Sequence, residues 1–220
     1  MNDKKLTKMN SILDAIIYEG SVRDLTSDVE TNIKNKGTFL GLTESKRVNK
    51  DGLPVGYDYI TSLGITHLQL LPIYDFATID ETRIKETYNW GYDPLQYFVP
   101  EGSYASHPLD PTSRIRDLLT LVSSYHNRGI RIVMDVVFNH VYEHQFSSFE
   151  ATVPNYYFRR TKDGSYFNAS GCGNDFASER AMARKLIVDA CKWWVSFYHI
   201  DGFRFDLMGI HDIETMNEIR

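Results

Sequence analysis

His199-Ile-Asp-Gly-Phe-Arg-Phe-Asp-Leu-Met-Gly209 is the stretch from which the rest of the chain can be read. As a β-strand its side chains alternate, so Arg204 and Asp206 share one face while Phe203, Phe205 and Leu207 share the other. A guanidinium and a carboxylate on one face therefore close an otherwise apolar strand. Ionised groups leave water at considerable cost, so such a pair needs a purpose. It is either a structural ion pair or a carboxylate nucleophile whose arginine favours the charged form. The strand alone leaves both readings open.

Working outward, three more strands are legible. Ile130-Arg-Ile-Val-Met-Asp-Val-Val-Phe138 is apolar and ends in Asn139-His140. Ile65-Thr-His-Leu-Gln-Leu-Leu71 is stopped by Pro72, and Ala15-Ile-Ile-Tyr18 runs into Glu19-Gly20. Helices are predicted between them: Tyr57–Leu63 closed by Gly64, Ser113–Arg128 from the spacing of Ile115, Leu118, Leu119 and Val122, and Ser178–Tyr198. Ser21–Gly56 reads as a solvated excursion and Ile73–Gly102 as a long loop. Residues 1–13 read as a polar lead-in, 14–220 as one folded unit, and 141–177 as a loop-rich insertion within it. Nearly continuous apolar strands alternating with helices imply a parallel sheet buried on both faces.

The fold class is thus α/β, and the expectation is a (β/α)8 TIM barrel of which this chain supplies about the first four β/α units. Polar residues at the C-terminal ends of barrel strands are catalytic candidates. Glu19 and Arg23, Asn139 and His140, and Arg204 and Asp206 all sit at such ends. A doubly wound sheet would also place its site there, but no G-x-G-x-x-G follows a strand.

Composition narrows the partners. Hydrophobic residues make up 42% and charged residues 24% of 220, which fits a globular protein. A formal net charge of -5 lends nothing to nucleic-acid or anionic-membrane binding and suits a neutral substrate. Cys172 and Cys191 lack any metal-ligand spacing and read as reduced thiols. No apolar signal region and no membrane-length stretch is evident, so the cytoplasm is the expected compartment.

Three stretches taken together carry a family resemblance. Asp135-Val-Val-Phe-Asn-His140, Asp201-Gly-Phe-Arg-Phe-Asp206 and Tyr88-Asn-Trp-Gly-Tyr-Asp-Pro94 resemble signatures of the α-amylase superfamily of glycoside hydrolases. The last is similar to the hallmark of type I pullulanases, which hydrolyse α-1,6 branch points in pullulan, starch and glycogen. Leu68-Gln-Leu-Leu-Pro72 and Phe203-Arg-Phe-Asp-Leu-Met-Gly209 resemble the same enzymes. The resemblance implies a retaining hydrolase acting on an α-glucan polysaccharide or branched oligosaccharide. It implies Asp206 as nucleophile and Arg204 as the residue orienting it. It further implies His140 hydrogen-bonding the adjacent sugar, Tyr92 stacking on that sugar, and Asp135 supporting the site by hydrogen bonding. Asn89, Trp90 and Asp93 would shape the pocket wall. Asn174, in the pullulanase-like loop Ser170-Gly-Cys-Gly-Asn-Asp175, would line the cleft or only shape the turn.

In this family the glutamate general acid/base follows the next strand, and a final aspartate comes later still. Glu214 and Glu218 belong to the helix after the fourth strand, so the acid is expected beyond Arg220 and the 220 residues alone are expected to be inactive. Phe138 stands where tyrosine is frequent, and Glu19-Gly-Ser-Val-Arg-Asp24 departs from the commoner E-M-H-V-R-D. No cofactor is implied. Asn139 leaves calcium open, since the corresponding asparagine binds it in some amylases. Isoamylase-like and glycogen-debranching enzymes are the runner-up within the family, and an inactive fragment that at most binds α-glucan is the rival outside it. His140-Val-Tyr-Glu-His144 formally fits a zinc-protease pattern, but that chemistry needs both histidines on a helix. Asn168-Ala-Ser170 reads as a plain loop, and Trp193-Trp194 as core.

Overall fold

The computed structural model describes residues 6–84 and 86–220. Four strands, β1 (Ile17–Gly20), β2 (His67–Leu70), β3 (Arg131–Val136) and β4 (Gly202–Phe205), form one sheet in the order β1-β2-β3-β4. All three pairings are parallel. The crossovers carry α1 (Gly56–Ser62), α2 (Pro111–Asn127) and α4 (Ala181–Tyr198), and α5 (Ile213–Ile219) follows β4. A fifth short helix, α3 (Ser148–Thr152), lies inside the 141–177 insertion. These are four consecutive β/α units of a barrel.

Alternation along the strands gives the sheet two unlike sides. Leu68, Leu70, Ile132, Met134 and Val136 are buried in one cluster with Leu118, Leu121 and Tyr125 of α2 and Ile187, Ala190 and Trp194 of α4. On the other side stand Glu19, whose carboxylate accepts from the Gln69 amide, then Asp135 and Arg204, which pair across β3 and β4. The apolar side holds the helices, and the polar side is where chemistry can be placed.

Ile17 in β1 is 55% exposed and Arg204 in β4 is exposed as well, as expected for the outer strands of four barrel units, each with a neighbour on one side among the described residues. One boundary needs correction: β1 starts later than Ala15. The backbone of Ile16 is tied to Thr66 and His67 ahead of the ladder, and the register pairs Ile17 with His67.

Local chemistry sets the helix ends. Asp110 caps α2 by accepting from the Thr112 amide, Pro111 opens its first turn, and Gly129 closes it at φ +79°. Helix α4 begins at Ala181 rather than Ser178 because the preceding residues are engaged elsewhere: the Ser178 hydroxyl accepts from the Asp212 amide at 3.0 Å. It ends on His199 in the left-handed conformation. Among the described residues no helix is long and apolar enough to cross a membrane.

Candidate active site

Asp206 follows β4 directly, and its amide donates to the Val136 carbonyl at 2.9 Å. One carboxylate oxygen accepts from Arg204 Nη1 at 2.9 Å and the other from Asn139 Nδ2 at 3.0 Å. The same Asn139 amide also donates to the Asp206 carbonyl, at 3.0 Å. Both oxygens are therefore held from the protein side while the side chain keeps 17% of its surface open. The next residue, Leu207, has φ +45°, a conformation that costs a branched-chain residue about 1 kcal/mol or more and recurs at functional turns.

Arg204 Nη1 also bridges to Asp135, at 3.0 and 3.1 Å to its two oxygens. One cation thus stands between two carboxylates, one of them fully buried. Burial works against the charge on Arg204, but its bonds to Asp135 and Asp206 hold its pKa above the ordinary arginine value. Burial pushes the Asp135 carboxyl up, against the hydrogen bonds from Tyr92 and Arg204 that favour its ionised form.

Tyr92 Oη donates to Asp135 Oδ2 at 2.7 Å. Burial, and then this bond, raise the phenol's pKa, so Tyr92 stays a donor and its ring is fixed in direction. His140 is 4% exposed. Its Nε2 faces the Tyr92 carbonyl at 2.9 Å and its Nδ1 faces Asn139 Oδ1, so its polar contacts are to protein. Burial lowers its pKa, against the Tyr92 carbonyl and the nearby Asp206, Asp93 and Asp175 carboxylates, which favour the charged ring.

The wall beside Tyr92 is built by the 88–94 stretch. Gly91 has φ +91°, and a Cβ there would stand 2.9 Å from Pro72, so the loop closes only with glycine. Asn89 Oδ1 accepts from the Gly91 amide at 2.7 Å, and its Nδ2 reaches the Ala77 carbonyl at 2.7 Å and Asp93 at 2.9 Å. Asp93 accepts from the Thr78 hydroxyl at 2.6 Å, and burial raises its pKa. Trp90 is 60% exposed and donates to the Tyr88 hydroxyl, so it forms the outer lip. Arg23, from the first strand's end, donates to the Thr87 carbonyl and lies over the Tyr88 ring at 5.3 Å.

Asn174 takes the turn-shaping one of its two readings. It has no exposed surface, its Oδ1 accepts from the Val141 amide at 3.0 Å, and its Nδ2 donates to the Val141 carbonyl at 2.8 Å. It clamps the insertion to the residue after His140 and cannot line a cleft. Asn139, one of the polar residues at the strand ends, has a role that strand alternation alone does not reveal. Its amide nitrogen serves Asp206 and its oxygen faces His140.

The two histidines of the H-x-x-E-H pattern face different partners, since His144 packs against the Tyr166 ring at 3.7 Å. Asp75, Glu81 and Glu101 gather their carboxylates within 4.8 Å, and Arg114 from α2 brings a guanidinium to Glu81 and Asp75. Of the tryptophan pair, Trp194 is core as expected, whereas Trp193 is 37% exposed and stacks on Phe197.

Chemically, the arrangement presents one oriented carboxylate, a cation behind it and a tyrosine ring beside it. The acids of α5 are elsewhere: Glu214 pairs with Arg184 at 2.8 Å and is mostly exposed.

Residues 49–170 match the family model for the α-amylase catalytic domain. The chain is 48% identical over 204 residues to a pullulanase of Bacillus subtilis (strain 168), covering 93% of this chain and 28% of that protein. It is 33% identical over 204 residues to the chloroplastic isoamylase 1 of Oryza sativa subsp. japonica, covering 90% of this chain and 24% of that one. The crystal structure of the Paenibacillus barengoltzii pullulanase complexed with maltohexaose and α-cyclodextrin superposes with a TM-score of 0.97 at 52% identity, over 100% of this chain and 34% of that chain. The chain thus spans about a third or less of the length of these relatives.

Proposed function

This chain belongs to the α-amylase family, and from that premise we propose that it is the nucleophile-bearing part of a retaining glycoside hydrolase that cleaves α-1,6 branch linkages in α-glucans. The observation that carries the reading is the seating of Asp206, with one oxygen on Arg204 and the other on Asn139 at a strand's C-terminal end. A retaining glycosidase needs a carboxylate aimed at the anomeric carbon and a second carboxyl group about 5–5.5 Å away as general acid/base.

Asp206 attacks the anomeric carbon, and the glycosidic oxygen leaves with a proton from the acid. Water then hydrolyses the glycosyl ester. Arg204 and Asn139 fix the direction of attack, so the carboxylate reaches the transition state without reorganising. Tyr92 offers its ring face to the sugar, with its hydroxyl anchored on Asp135. Trp90, Asn89 and Asp93 shape the lip and wall of the same pocket, and His140 stiffens it through the Tyr92 carbonyl.

Asp135 is not the acid, because it is buried and committed to Arg204 and Tyr92. That group comes from sequence beyond residues 1–220, as the greater length of the relatives supports. The α-1,6 preference rests on the pullulanase likeness, and hydrolysis of pullulan compared with glycogen separates it from an isoamylase-type preference. The full-length gene product should release maltotriose from pullulan, and Asp206→Asn should abolish that. Cleavage confined to α-1,4 bonds, or full activity in Asp206→Asn, would overturn the assignment.

A further inference from the structure

Beside the wall that carries Tyr92 lies a larger groove, with a volume of about 750 Å³, between the 75–81 segment and the 141–149 segment. We propose that this groove is a second α-glucan-binding site, continuous with the candidate active site through Thr78. The proposal rests on the α-glucan reading above and deepens it.

Four observations carry it. First, the size falls within the roughly 300–1,000 Å³ of small-molecule pockets. Second, the lining includes three acids: Arg114 takes up Glu81 and approaches Asp75 from behind, which leaves Glu143 as the unengaged acceptor for hydroxyl donors. Third, two aromatic rings stand at its rim, Tyr142 at 42% and Phe146 at 81% exposure. So exposed a phenylalanine beside carboxylates matches the two faces of a sugar, whose C–H side packs on a ring while its hydroxyls bond to acids. Among the described residues the side chains of Gln96, Tyr142 and Glu143 make no hydrogen bond to protein, so their polar groups are available.

Fourth, the groove is already braced. Its two walls are tied to the active-site loop, since the Tyr142 amide donates to the Pro94 carbonyl at 3.1 Å and the Ala77 amide to the Asp93 carbonyl at 2.9 Å. Asn174 holds Val141 from behind. A site held this way loses little freedom when it is filled. Thr78 lines both this groove and the Tyr92 wall, while its hydroxyl bonds to Asp93. A glucan chain can therefore be gripped close to where another segment is cut.

The test uses the full-length gene product carrying Asp206→Asn to stop turnover, titrated calorimetrically with maltohexaose. Two binding events are expected, and adding Tyr142→Ala with Phe146→Ala should weaken one of them at least tenfold. The thermal midpoint of each variant is measured alongside, so that lost folding is told apart from lost binding; Glu143→Gln gives a second variant that keeps the rings. A single event that neither variant changes overturns the groove while leaving the glycosidase reading intact. A parent protein that neither hydrolyses pullulan nor binds maltohexaose overturns both.

Discussion

Replacing Arg204 by methionine isolates the electrostatics of the site. The guanidinium stands 2.9 Å from Asp206 and 3.0 Å from Asp135, which has no exposed surface. Stripping the partner from a buried carboxylate costs about 3–5 kcal/mol. The arginine side chain is 43% exposed, and solvent screening brings the expectation down to about 2 kcal/mol. The sign with pH follows from the carboxylates. Burial has raised Asp135, so the folded state resists its ionisation, and Arg204 offsets that only while the acids are charged. The deficit of the variant should therefore be full at neutral pH and shrink as pH falls through the carboxylate range, near ~4 for an ordinary aspartate. Denaturant melts of both proteins at pH 7 and pH 4 measure it, and Arg204→Lys should recover part of the loss. An equal loss at both pH values would refute the charge argument and leave packing as the arginine's role.

Other consequences are smaller but as definite. Tyr92→Phe keeps the ring and removes a hydrogen bond to a buried carboxylate, so steady-state kinetics on pullulan should show kcat falling roughly tenfold, about 1.4 kcal/mol, with KM little changed. Asn174→Ala leaves the amide and carbonyl of Val141 without partners and should cost about 2–4 kcal/mol in a denaturant melt; a neutral substitution would show that the clamp is dispensable. Glu101 is pushed up to about 7 and Asp75 to about 6, in each case chiefly by burial. Raised carboxylates favour folding at low pH, and that contribution is lost as pH rises toward those values. Glu101→Gln should therefore flatten the thermal midpoint between pH 5 and pH 8, and an unchanged slope would assign the pH dependence to other groups.

How much of this was legible in the sequence depends on the range of the interaction. The strands of the sheet were readable because apolar runs bounded by Pro72, Gly129 and charged ends are local signals. The shared face of Arg204 and Asp206 was readable because strand alternation is local as well, and the structure bonds them at 2.9 Å. The clamp of Asn174 on Val141 was not readable, being a contact across 33 positions. Asn139 was in view as a strand-end residue, but its bond to Asp206 was not, because that contact across 67 positions depends on the β3–β4 register. The groove rim escaped notice too: Tyr142 and Phe146 sit in an insertion without periodicity, where exposure cannot be read from residue type.

The central claim is that Asp206 forms the covalent bond to the sugar. A fluorinated glucosyl fluoride slows breakdown of a glycosyl-enzyme more than its formation, so the intermediate accumulates on the full-length gene product and can be mapped by peptide mass spectrometry. The account predicts a single glucosyl adduct on the peptide containing Asp206, absent from Asp206→Asn. An adduct on Asp135 or on any other carboxylate of an active enzyme would contradict it.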